Sequence, residues 1–356
     1  MKLNTFFNYI NLYYKGGTNM KLNFDIFKKS ALLILLLVIF SGSTSFAEIN
    51  IKRISGNDRY ETSANVSSEN FTSSKYAIIA SGEKYPDAIM SGAISTQVTA
   101  PILLVGKDYI PPEVIKELKR LNCQTIFLIG GNNTISTDTI YNIYKQTGIY
   151  PRRIAGKDRF ETANRINDLR LELNGTTYDD LYGITWHYYG AVSGYNFYDA
   201  LYAAPYVGLA KFDTKWLLQL EFCNNTFDFD NSDVGSGFII GDVDVINRNG
   251  AYYPSLTRGK NRYETSVKIA ESYSIPYSIN YNPDTVVITS GEDYPDGLSS
   301  AGITAIYTAP ILLTPKYHLD NSVKDYLQKN NINTVFIVGG ENSVSRDIEK
   351  EIRELK

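Results

Sequence analysis

Arg53-Ile-Ser-Gly-Asn-Asp-Arg-Tyr-Glu-Thr62 returns as Arg153-Ile-Ala-Gly-Lys-Asp-Arg-Phe-Glu-Thr162, and again as Leu256-Thr-Arg-Gly-Lys-Asn-Arg-Tyr-Glu-Thr265. The spacings are 100 and 103 residues, which is domain-sized, so the chain is an array of domains rather than a solenoid of small units. Further matches follow in the same order. Ser81-Gly-Glu-Lys-Tyr-Pro-Asp87 and Thr99-Ala-Pro-Ile-Leu-Leu104 pair with Ser290-Gly-Glu-Asp-Tyr-Pro-Asp296 and Thr308-Ala-Pro-Ile-Leu-Leu313. From Ser81 to Leu104, 14 of 24 aligned positions are identical. Thr125-Ile-Phe-Leu-Ile-Gly-Gly131 pairs with Thr334-Val-Phe-Ile-Val-Gly-Gly340.

The repeating unit reads as α/β. Tyr76–Ala80, Ile102–Val105 and Thr125–Ile129 are short apolar runs suited to buried parallel strands. Helical patterns at Asp87–Gln97, Pro112–Leu121 and Ser136–Gln146 separate them, with Asp87 and Ser136 as N-caps and Pro112 in a first turn. An opening strand near Ile51–Ile54 and a helix near Asp58–Ser68 come first. Alternation of this kind implies a small parallel sheet with helices on both faces. The expected boundaries are 48–152, 153–255 and 256–356. The middle copy departs from the pattern: Tyr198 replaces a proline, Trp216-Leu-Leu218 stands where Pro-Ile-Leu-Leu is expected, and Ile239-Ile-Gly-Asp242 replaces Ile-Gly-Gly.

Before the repeats, Lys28 and Lys29 precede ten apolar residues, Ala31–Phe40, and then the small residues leading to Ala47. This is the order of a secretory signal, expected to be cleaved after Ala47, and ten residues are short for a bilayer span. Met20 reads as the true start, because a leader beginning there has ordinary length.

Composition narrows the class. The chain has 356 residues, 43% hydrophobic and 21% charged, which is globular. Net charge is −3; losing five lysines and one aspartate with residues 1–47 leaves 30 bases against 37 acids, or −7. No polybasic tract appears, so a nucleic-acid partner is disfavoured. Two cysteines cannot frame a disulfide scaffold, and two histidines, His187 and His318, make histidine-based metal sites and triads improbable.

The motifs R-I-x-G-x-D-R-[YF]-E-T, G-x-x-[YF]-P-D-A, A-P-I-L-L and I-G-G-x-x-x-[IV]-S resemble those of the clostridial cell wall binding repeat 2 family, over nearly all of residues 50–356. The resemblance implies three α/β units packed as a pseudo-threefold trimer. It implies noncovalent anchoring of a secreted protein to the Gram-positive wall through an anionic secondary wall polymer. It also places the Ile-Leu-Leu element in or near the polymer groove, here Ile102, Leu103, Leu104, Ile311, Leu312 and Leu313. The middle copy lacks that triplet, which puts a third equivalent polymer site in question. Many relatives append an enzyme; three units of about 100 residues fill the mature length here.

Several residue groups carry candidate chemistry. Asp87, Asp199 and Asp296 recur at one strand-to-helix junction, where a carboxylate either contacts ligand or caps the helix. The cap is favoured, because no partner acid, histidine or metal cluster accompanies them. No catalytic residue, metal or cofactor is therefore assigned. Gly130-Gly131 and Gly339-Gly340 either cradle a phosphate or simply allow a tight turn. Positive charge gathers at the openings: Arg53 and Arg59; Arg152, Arg153, Lys157 and Arg159; Arg258, Lys260 and Arg262. Arginine forks suit phosphate, and local basic pockets would let an acidic body hold an anionic polymer; pairing between units is the equal alternative. Tyr188, Tyr189, Tyr195, Phe197 and Tyr198 are candidates for sugar stacking or a protein partner, with packing favoured. Cys123 aligns with Ile332 as a core position, Cys223 has no counterpart, and a disulfide between the two stays open.

The expected function is a secreted, wall-anchored binding protein that is not an enzyme. Other surface proteins are possible partners, and no membrane contact is expected after signal removal. A wall hydrolase or autolysin modulator, and a structural surface-layer protein, are the alternatives.

Overall fold

A computed structural model describes residues 48–175, 188–213, 216–228, 236–246, 255–275, 279 and 281–355. The expected leader, with its cleavage point, lies outside the described residues, as does His187. Residues 48–356 form one compact unit.

Three four-stranded parallel sheets dominate it. The first runs Ile102–Val105, Tyr76–Ser81, Thr125–Ile129, Arg152–Ile154. The second runs Gln219–Cys223, Tyr188–Ser193, Ser236–Ile240, Ser255–Thr257. The third runs Ile311–Thr314, Thr285–Ser290, Thr334–Val338, Asn50–Ile54. The strands expected in the first copy are present, and their apolar continuity reflects burial on both faces. The last strand of each sheet, however, is the opening strand of another repeat. The first repeat's sheet takes Arg152–Ile154 from the second, and the second takes Ser255–Thr257 from the third. The third takes Asn50–Ile54 from the first, which closes the ring.

The repeated decamer is a device for starting a helix. Asp58, Asp158 and Asn261 cap helices Arg59–Asn70, Arg159–Asn174 and Arg262–Ser272, their side chains accepting from Glu61, Glu161 and Glu264 N–H at 2.8–2.9 Å. Each glutamate reaches back to the backbone N–H before the cap, a variant of the capping box. Thr62, Thr162 and Thr265 accept from the N–H of Gly56, Gly156 and Gly259 at 3.0 Å. Those glycines lie flat against the glutamate, where a Cβ would collide. Ser63 and Ser266 then accept from Leu104 and Leu313 N–H, covering the outer edges of the Ile-Leu-Leu strands.

The helix expected at Asp87–Gln97 is two helices, Tyr85–Ala88 and Ser91–Val98. Pro86 in the first turn starts the helix a residue or two early, so Asp87 lies inside the turn and does not cap it. Ser136 does cap Thr137–Thr147. In the middle copy, strand register aligns Leu220-Glu221-Phe222 with Ile102-Leu103-Leu104, correcting the expected Trp216-Leu-Leu218.

Helices Ser91–Val98, Tyr198–Leu209 and Ala301–Tyr307, one from each repeat, meet at the pseudo-threefold centre. Contact there is close: a Cβ on Gly92 would sit 3.0 Å from Pro205, and Thr96 donates to the Pro205 carbonyl at 2.9 Å. One apolar cluster draws buried residues from all three repeats, including Ile94, Leu201 and Ile303. Smaller cores lie within single repeats, the third's also packed by Ile49 and Ile51 of the first. Arg170, fully buried, donates to Gln97, Asn167 and the carbonyls of Leu218 and Val207, tying the second repeat to the first. Burial pulls its guanidinium pKa down to about 10.

Candidate functional site

The carboxyl ends of parallel strands are where ligands bind in open α/β sheets. In this ring, each such end faces the opening loop of the repeat that supplied the last strand. Clefts follow at two of the three junctions. The third-to-first cleft encloses about 510 Å³ between Asp293, Asp296 and Gly340–Ser343 on one side and Arg53–Arg59 on the other. The second-to-third cleft encloses about 330 Å³ between Tyr198, Asp199 and Asp242 and the loop Arg258–Arg262.

Both motif arginines do structural work at these junctions. Arg53, Arg153 and Arg258 donate to the carbonyls of Gly339, Gly130 and Gly241, locking each opening loop onto the adjacent sheet. Arg59, Arg159 and Arg262 donate to the carbonyls of Gly82, Gly194 and Gly291 in their own repeats. Their outer faces meet the neighbouring repeat: Arg59 lies 3.7 Å from Asp293, Arg159 sits over Tyr85, and Arg262 stacks 4.0 Å above the Tyr198 ring.

The aspartates press on the glycine turn. Asp87 accepts from Thr134 Oγ1 at 2.7 Å, and a Cβ on Gly130 would lie 3.2 Å from its carboxylate. Gly339 stands in the same relation to Asp296, and Gly241 to Asp199. All three glycines have positive φ, at 114°, 125° and 73°. The carboxylate therefore selects and holds the turn. In the middle copy Val245 occupies the position of Thr134 and Ser343. Asp199 there accepts instead from the Tyr202 hydroxyl, and its Oδ2 is buried without a hydrogen-bond partner among the described residues.

Burial pushes the Asp199 carboxyl upward, opposed in part by its hydrogen bonds to Tyr202 and Asn196. A raised carboxyl contributes stability that is present below its unfolded value, near pH 4, and lost as pH rises through the folded value. Thermal midpoints between pH 4 and 8 should therefore show Asp199→Asn gaining on the wild type as pH rises. A difference independent of pH would contradict this.

The Ile-Leu-Leu side chains lie elsewhere. Ile102, Leu103, Leu104, Ile311, Leu312 and Leu313 are each 0–2% exposed. They present no side-chain surface to a polymer; their place is in the shared and single-repeat cores.

A feature not anticipated from sequence sits at the ring's centre. Tyr85, Phe197 and Tyr294 occupy one motif position in the three repeats, and their rings meet, with centroids 5.7–6.2 Å apart. Tyr198 packs edge-on against Phe197, while Tyr195 is exposed and meets Phe160 edge-on. The side chains of Tyr188 and Tyr189 lie outside the described residues. Cys123 and Cys223 are free and buried in separate cores, and burial raises the Cys223 thiol to about 11. His318 is exposed. Among the described residues no group of three or more His, Cys, Asp or Glu could hold a metal, and no helix is long and apolar enough to cross a membrane.

The profile of cell wall binding domain 2 (CWB2) matches residues 53–140, 153–249 and 257–349. The chain belongs to the CWB2 family. The N-acetylmuramoyl-L-alanine amidase LytC of Bacillus subtilis (strain 168) is 25% identical over 331 residues, covering 92% of this chain and 62% of LytC. The amidase enhancer of the same organism is 23% identical over 304 residues, covering 84% of this chain and 40% of that protein. Among solved structures, Cwp6 from Clostridium difficile superposes with a TM-score of 0.71 at 21% identity, over 87% of this chain and 48% of Cwp6. Cwp8 from the same organism gives 0.66 at 22% identity, over 92% of this chain and 55% of Cwp8. The chain thus spans roughly two fifths to three fifths of the relatives it matches. The three CWB2 segments account for the described fold and imply association with the cell wall. Two of the motif elements, the arginine lock on the glycine turn and the aromatic contact, join one CWB2 repeat to the next.

Proposed function

We propose that this chain is a secreted protein held noncovalently at the wall by an anionic secondary polymer bound in the clefts between its repeats, without hydrolytic chemistry of its own. The observation that carries this reading is the cleft itself. It recurs at two of the junctions, at the carboxyl end of a parallel sheet, and is lined by arginines and a glycine turn. A body of net charge −7 repels polyanions at long range, so basic groups gathered into clefts are what such binding requires.

Sedimentation with isolated clostridial walls tests it, alongside walls stripped of anionic polymer by acid. Binding to intact walls alone is the expected result. Equal binding to both would point to peptidoglycan, and binding to neither would overturn wall anchoring. A modulator of wall amidases is the second reading, supported by the likeness to an amidase enhancer. It requires that added chain change the rate at which an amidase clears walls.

A further inference from the structure

The three junctions share a frame but differ in charge. Two arginines, the capping-box glutamate and the turn-holding aspartate are common to all, and their charges cancel. The remaining positions decide the balance. The third-to-first cleft adds Asp58, Asp293 and Glu341 against Arg346 alone. The second-to-third cleft adds Lys260 and Asp242, one of each sign. At the first-to-second junction, Lys84 stands where the third repeat has Asp293, Asn132 replaces Glu341, and Lys157 replaces Asn57. Asp158 opposes these two lysines just as Asp58 stands in the third-to-first cleft, each engaged as a helix cap, and Thr137 takes the place of Arg346.

Ion pairing divides the junctions in the same way. Arg53 is tied to Glu349 at 2.6 Å, Arg59 faces Asp293, and Arg258 faces Asp242 at 3.4 Å. The residue equivalent to Glu349 in the first repeat is Ile140. Arg153 accordingly meets no carboxylate among the described residues, and its Nη2 is buried without a hydrogen-bond partner. Arg159 has aromatic rings on its flanks, Tyr85 and Tyr195, and no acid partner among the described residues. Lys84 reaches over the glycine turn to the Asn133 carbonyl at 3.1 Å. Beside it, the Cβ position of Gly131 faces open space, so the turn's backbone is accessible.

We infer that the junction between the first and second repeats is the phosphate-binding site of this chain, with Lys84, Lys157, Arg153 and Arg159 as its cations, and that the third-to-first cleft excludes phosphate. The inference rests on the polymer-binding reading and narrows it to one junction. A phosphodiester there meets unneutralised bases, whereas at the third-to-first junction it must displace Asp293 and Glu341.

The probe is a glycerol phosphate hexamer, titrated calorimetrically into the chain at low salt. Wild type should bind one hexamer. Lys84→Asp with Lys157→Asn, which writes third-repeat chemistry into the junction at two exposed positions, should weaken binding by at least about tenfold. Asp293→Lys with Glu341→Asn should raise the capacity to two. Unchanged affinity in the first double variant, at an unchanged thermal midpoint, overturns the assignment, as does absence of hexamer binding in wild type. Walls separate this from the broader reading. If wild type and the lysine variant sediment equally with intact walls, the assignment fails and wall anchoring stands. If wild type binds the hexamer in the lysine-dependent way but no walls, the junction is a phosphate site and wall anchoring fails.

Discussion

Deleting residues 48–54 should unfold the far end of the chain. The strand Asn50–Ile54 completes the third repeat's sheet beside Thr334–Val338, so its loss exposes that sheet and leaves the first repeat's own sheet whole. Ile54 is 1% exposed, and removing a buried isoleucine alone costs about 2–5 kcal/mol. The deletion also removes Arg53, which binds Glu349 and the carbonyls of Gly339 and Val344. The combined loss is comparable with the whole stability of an ordinary domain, roughly 5–15 kcal/mol. Hydrogen exchange is the measurement. Amides of Thr334–Val338 and Thr285–Ser290 should lose protection, while those of Tyr76–Ser81 keep it. Loss confined to the first repeat would contradict the strand exchange.

Leu103→Ala and Leu312→Ala should each destabilise the fold by about 2–5 kcal/mol, because both side chains are fully buried and leave cavities. For protein that remains folded, wall sedimentation should match wild type. Denaturant unfolding followed by sedimentation of the folded fraction checks both halves. If either variant keeps full stability yet loses wall binding, the Ile-Leu-Leu element contacts polymer directly. The expected outcome assigns any loss of function on altering this element to loss of the sheet.

Much of the fold is readable along the chain. Tyr76–Ser81, Ile102–Val105 and Thr125–Ile129 announce themselves because strands buried on both faces are apolar without interruption. The decamer announces a helix start through Asp58 and Glu61, whose roles are local. What escapes is partnership. Arg152–Ile154 reads as a strand, but nothing in its own periodicity says whose sheet it joins. Asp87 reads as a cap, but the earlier signal, Pro86 in the first turn, outweighs it and places Asp87 inside the helix. Its true partner, Gly130, lies 43 residues away and was visible only as a co-recurring pair in each copy. The ring contact of Tyr85, Phe197 and Tyr294 had a similar trace: an aromatic kept at one motif position even where the following proline became Tyr198. The charge contrast between junctions required knowing which loops face each other, and so appeared only with the fold.

The exchange of opening strands has a topological consequence. Asn50–Ile54 lies beside Thr334–Val338, and Glu48 pairs with Arg353 at 3.2 Å, so the two ends of the described unit meet at one spot. The polypeptide is in effect a loop cut once, and the position of the cut is incidental to its architecture. A circularly permuted chain, joined there and opened near Gly148 ahead of Arg152–Ile154, would keep all three exchanges. By the same geometry, a domain fused at either end would emerge from the same face of the ring, and the choice of end would alter the order of the gene more than the shape of the molecule.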